Sequence, residues 1–144
     1  MNDIHSVPLR SLVQEFGREV AYAATDYEKL RLTVVDIARP GLQLAGFYDH
    51  FEPMRLQVLG NVEISYLSKL SVAERLMIYD RLFSFKVPAV LIARDLPMND
   101  ECLTMARKHN VTILRSAEAT STIVSSIVAY LKAALADHQL YGLP

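Results

Sequence analysis

The chain has 144 residues, of which 51% are hydrophobic and 22% charged, a balance that suits one soluble domain with a real core. Fifteen basic and sixteen acidic residues leave a net charge of −1, and without a basic stripe nothing marks the chain for non-specific nucleic-acid binding. The single cysteine, Cys102, excludes an intrachain disulfide and a cysteine metal cluster, and no run approaches the roughly 18 apolar residues of a membrane span. The chain therefore reads as cytoplasmic, with no nucleic-acid or membrane partner.

Ser6 is placed to cap a first helix, with Pro8 in its first turn and Gly17 just past its end. Leu9, Leu12, Val13 and Phe16 share one face of it. Residues 20–24 suit a short strand, and residues 31–37 a better one, since Val34, Val35 and Ile37 favour extended backbone. Residues 41–47 read as a short helix or turn, and residues 55–59 as a strand closed by Gly60. Residues 62–70 are helical. Ser71 then starts a clearer helix, because Glu74 completes a capping box. Residues 87–93 form a near-continuous apolar run, expected as a strand buried on both faces with Pro88 at its entry. Asn99 or Asp100 caps a helix ending near His109, and residues 111–114 make another buried strand. A final helix over about 118–137 carries Ile123, Ile127, Tyr130 and Leu131 on one side. Strands alternating with helices imply a βαβ unit, and hence an α/β domain with a mainly parallel central sheet and flanking helices in two or three layers. Residues 1–137 form that domain; residues 138–144 are a tail or the start of an interdomain linker.

The richest stretch runs from Asp36 to Tyr48. A strand delivers Asp36 and Arg39 to a loop set by Pro40 and Gly41, where proline fixes φ and glycine allows close backbone approach. Arg39 there either grips an anion or a partner surface, or pairs with Asp36 and pins the loop. Gly41 and Gly46 satisfy half of a phosphate-binding loop, but Phe47 and Tyr48 stand where Lys and Ser or Thr would hold phosphate and Mg²⁺. His5, His50, His109 and His138 lie in no metal-binding spacing. Asp49, His50 and Glu52 form the one local cluster suited to acid–base work, and read more simply as a solvated turn. No Gly-x-Ser-x-Gly elbow occurs. Cys102 sits on an apolar helix face and reads as a small buried hydrophobe.

The run V-D-I-A-R-P-G-L-Q-L-A-G-F-Y-D-H-F-E-P-M-R-L-Q-V-L-G-N-V-E-I-S-Y-L, Val35 to Leu67, resembles the N-terminal domain of bacterial HPr kinase/phosphorylase. The likeness continues through P-A-V-L-I-A-R, Pro88 to Arg94, and V-T-I-L-R-S, Val111 to Ser116. It implies a part of a two-domain enzyme whose C-terminal domain phosphorylates and dephosphorylates a serine of HPr in carbon catabolite repression. ATP and Mg²⁺ would then belong to that catalytic domain, and this chain would carry no cofactor and no catalytic residue. More distantly, the chain is similar to the nucleotide-sugar-binding N-terminal domain of Mur ligases. Asp36, Arg39, Pro40, Gly41, Leu42 and Ala45 loosely echo the Mur pattern, while Ala38 replaces its serine.

Three functions are therefore expected in descending order. The first is a non-catalytic regulatory or assembly domain, with the parent's catalytic domain and a second copy of itself as partners. The second is a sensor of a small anionic effector or nucleotide sugar, using Asp36, Arg39, Gly41, Tyr48 and His50. The third is an independent enzyme built on Asp36, Arg39 and His50.

Overall fold

In the computed structural model, residues 6–16 and 19–142 are described, with side chains through Ala136. The elements are β1 (Val7–Pro8), α1 (Leu9–Phe16), β2 (Glu19–Tyr22), β3 (Arg31–Leu32), β4 (Ile37–Ala38), α2 (Gly41–Leu44), β5 (Leu56–Leu59), α3 (Asn61–Ser68), α4 (Val72–Ser84), β6 (Val90–Ile92), α5 (Asp100–His109), β7 (Ile113–Arg115) and α6 (Thr120–Gly142).

Five strands form one sheet in the order β2-β7-β6-β5-β4. Neighbours from β4 to β7 run parallel, and β2 joins the β7 edge antiparallel. Local chemistry explains the helices that connect them. The Ser71 hydroxyl accepts from the Glu74 amide at 3.1 Å, and the Glu74 carboxylate accepts from the Ser71 amide at 2.9 Å, which completes the capping box of α4. α5 has Asp100 and Glu101 in its first turn and Arg107, Lys108 and His109 in its last, matching the helix dipole. Asn110 closes α5 in the left-handed conformation at φ 58°.

Alternation along the buried strands sorts side chains into two cores. Leu56, Val58, Leu91 and Leu114 pack with Leu12 of α1 and Ile123, Ile127 and Leu131 of α6. Leu59, Val90, Ile92 and Ile113 pack with Leu67, Phe83 and Cys102 of α3, α4 and α5. Odd and even strand positions thus face opposite helix layers, as a period of two requires. The result is a three-layer α/β domain.

Three local expectations need correction. The expected strand over residues 31–37 is split: Leu32 pairs with Val7 in a small antiparallel ribbon, whereas Ile37 pairs with Leu56 in the main sheet. One short strand cannot ladder with two sheets, so the chain bends between them. Ser6 does not cap α1; Val7 and Pro8 are extended, and the Ser6 hydroxyl accepts from Arg31 Nε at 2.6 Å. The final helix continues to Gly142 rather than stopping near Asp137. Gly17, His5 and the His138 side chain lie outside the described residues.

Candidate functional site

The parallel strands β4 to β7 end at one edge of the sheet, and their outgoing segments gather there. In open parallel sheets this carboxyl edge is where ligand crevices form. Arg39 follows β4, Gly60 follows β5, Arg94 follows β6 and Ser116 follows β7. Helices α3 and α6 start from the same edge.

Glu63 organises this edge. Its side chain is only 6% exposed, and its Oε1 accepts from Arg39 Nη2 at 2.8 Å and from the Gly60 amide at 2.7 Å. A buried carboxylate needs such partners, because an unpaired charge out of water is costly. The same contacts tie the β4–α2 loop to the first turn of α3. Gly60 is needed for close approach and not for its φ of −110°: a Cβ there would meet Arg39 Nη2 and Thr120 Oγ1, both at 2.7 Å. Thr120 Oγ1 is buried beside it without a hydrogen-bond partner. Arg94 and Asp95, at φ 60° and 53°, make a left-handed pair whose amides donate to Glu118 O and Ser116 O at 2.9 Å each.

The residues singled out from the sequence are divided: Arg39 and Gly41 line one groove, and Tyr48 lines another. Arg39 pairs with Glu63 and not with Asp36. Asp36 instead faces Arg55 at 3.5 Å, and its Oδ1 accepts from the Ile37 amide at 2.8 Å. The reason is geometric: β4 lies between Asp36 and Arg39, and residues an odd number apart on a strand point to opposite faces. Gly41 opens α2, and the amides of Leu44, Ala45, Gly46 and Phe47 are all spent on carbonyls within residues 40–43. Its Gly-x-x-x-x-Gly spacing is a short helical turn, ended by Gly46 at φ +100°.

Tyr48 turns away from Arg39 toward α4. Its ring stacks on Phe85 at 4.9 Å, meets Phe51 edge-on at 5.4 Å and carries the Arg81 guanidinium at 4.2 Å. Burial raises its phenol pKa, with Arg81 opposing. His50 sits exposed in a turn at φ 64°. No hydrogen bond or ion pair links Asp36, Arg39 and His50 to one another. Cys102 is fully buried, and burial pushes its thiol up to about 12, in keeping with a packing role.

The sequence reading missed Glu63. Its signal was present as a carboxylate three residues after Gly60, the spacing that lets a side chain reach back to the helix-start amide.

Two grooves adjoin the edge. One, of about 420 Å³, is lined by Arg39, Leu42, Val62, Glu63 and Tyr66 among others. The other, of about 290 Å³, is lined by Tyr48, Tyr66, Glu74, Met77 and Arg81 among others.

Comparison with known proteins agrees with this architecture. Residues 7–131 match the family described as HPr Serine kinase N terminus. The chain is 36% identical over 139 residues to an HPr kinase/phosphorylase of Clostridium botulinum (strain Eklund 17B / Type B), covering 96% of this chain and 45% of that protein. It is 39% identical over 138 residues to one of Clostridium perfringens (strain SM101 / Type A), covering 95% and 44%. The chain thus spans less than half the length of these curated relatives. Among solved structures, the CBS and DRTGG domains of the regulatory region of Clostridium perfringens pyrophosphatase share the fold, with a TM-score of 0.61 at 14% identity over 87% of this chain and 47% of that one. The chain belongs to the HPr kinase/phosphorylase family and corresponds to its N-terminal part.

Proposed function

We propose that this chain is a non-catalytic regulatory and assembly part of an HPr kinase/phosphorylase that acts in the cytoplasm in carbon catabolite repression. The observation that carries this reading is the one Gly-x-x-x-x-Gly segment, Gly41 to Gly46, which is followed by Phe47 and Tyr48 in place of the phosphate and metal ligands. Phosphoryl transfer needs a positioned Mg²⁺ and a phosphate cradle, so ATP and Mg²⁺ are assigned to the remaining length of the relatives. That remainder is the first partner.

Incubating the purified chain with ATP, Mg²⁺ and HPr tests the proposal. No phosphoserine should form on HPr, while a full-length relative modifies it under the same conditions. Phosphorylation that co-purifies with the chain through every column would end the proposal.

A further inference from the structure

Of the two grooves at the carboxyl edge, the larger has the make-up of a small-molecule site. Its volume is about 420 Å³, and it runs between α2 and the first turns of α3. Leu42, Leu44, Val62 and Tyr66 give it apolar and aromatic walls. Three of these stay in water: Leu42 is 64% exposed, Val62 73% and Tyr66 41%. Arg39 and Glu63 share the lining, and they are not equivalent. Glu63 is only 6% exposed, and its Oε1 is spent on Arg39 and the Gly60 amide. Arg39 is 39% exposed, and among the described residues Nη2 is its one bonded nitrogen. Its remaining N–H donors are therefore available beside apolar surface. The smaller groove differs: Glu74 and Arg81 are both exposed in its lining, so it favours neither sign of charge.

We propose that the larger groove binds a small molecule with a planar apolar body and a single oxyanion head, carboxylate or phosphate. The head takes the unspent donors of Arg39, whose planar fork matches either oxyanion. The body lies against Tyr66, Leu42 and Val62, where ring contact and burial of apolar area supply the rest of the affinity. Glu63 is a positioning residue, since its 2.8 Å bond holds the guanidinium at the groove. Charge selects this occupant over others. A cation would face the guanidinium, and a neutral apolar molecule would strip water from it without giving a partner in return. A polyphosphate calls for several cations, and Arg39 is the one cation in this lining among the described residues. The position agrees, because open parallel sheets take ligands beyond the carboxyl ends of their strands.

This site goes beyond the proposed function and does not depend on it: binding is read on the chain alone, catalysis on HPr. The probes are naphthyl phosphate and naphthoate, titrated into the isotope-labelled full chain and followed by amide NMR. At least one should bind with a Kd of about 0.1–1 mM, the range open to a ligand of this size. The shifted amides should centre on residues 39–45 and 62–66. Naphthol and inorganic phosphate should each bind at least about tenfold more weakly, since each lacks one half of the ligand. Val62→Glu places an acid in the first turn of α3, where the helix dipole favours it, and should leave the thermal melt unchanged. It should nevertheless weaken probe binding about tenfold by repelling the head, whereas Val62→Lys should hold it within about threefold. No saturation by either probe at about 10 mM would overturn the proposal. So would naphthol or inorganic phosphate binding as tightly as the probes, shifts centred on Met77 and Arg81, or indifference to Val62→Glu.

Discussion

Arg75–Glu101 and Arg39–Glu63 use the same pair of side chains in different surroundings. Arg75 and Glu101 are each only 14% exposed, joined at 2.6 Å between α4 and α5. Arg75 also donates to Leu70 O at 2.6 Å, just past the end of α3, and to Leu67 O at 3.3 Å within its last turn. Three helices thus meet on one guanidinium. In the second pair Glu63 is 6% exposed but Arg39 is 39% exposed, so its outer face stays in water. The first pair is a buried bolt between layers. The second is a brace whose acid is structural and whose base stands at the rim of a groove. Burial of both partners, more than bond length, separates the two.

The largest effect is expected at the bolt. Arg75→Ala strands the Glu101 carboxylate and the Leu70 carbonyl, and should lower stability by about 2–4 kcal/mol. For a domain of this size that is a fall of roughly 5–12 °C in Tm, read by calorimetry. Arg75→Leu, which leaves the same groups unpaired, should recover little of it; full recovery would show that packing alone matters there.

Gly60→Ala comes next. The added methyl collides with the Arg39 and Thr120 side chains and should destabilise by about 1–3 kcal/mol in urea titrations. Because the clash runs through Arg39, the loss should shrink when Arg39→Ala is already present, a coupling that a double-mutant cycle measures. Additive losses would place the strain on Thr120 instead.

Arg39→Ala by itself should cost about 1 kcal/mol, since the Gly60 amide still holds Glu63 and water reaches the site. A loss as large as that of Arg75→Ala would erase the distinction between brace and bolt.

The smallest effect lies where Asp80 of α4 meets Lys108 and His109 of α5. Asp80 accepts from His109 and Lys108, chiefly through the His109 hydrogen bond, and its carboxyl is held below the usual carboxylate range. A depressed folded-state pKa stabilises above the unfolded value near 4 and loses that contribution as pH falls through the folded value. Asp80→Asn should therefore flatten the acid limb of a stability profile between about pH 5 and 2 and leave the wild-type advantage only above it. Parallel profiles over that range would discard the pair.

Much of the fold was legible because it depends on local periodicity. The buried run around β6, the Ser71 capping box and the apolar side of α6 are written in consecutive residues. The bend within residues 31–37 was not, since β-branched residues favour extended backbone without saying which neighbour they ladder with. The candidate site was less legible still. Arg39, Pro40 and Gly41 stood out by type, yet the partner of Arg39 lay 24 residues away on α3. Tyr48 looked like part of the same loop, and its ring is claimed by Phe85 and Arg81.

The order of amino acids by itself determined the α/β class, the start of α4 at Ser71 and the family likeness, because each rests on spacing along the chain. Tertiary structure alone decided which acid meets which base and which apolar residues stay in water. Those choices depend on where separate elements come together, and a charge finds its partner by proximity in space after the strands and helices have packed.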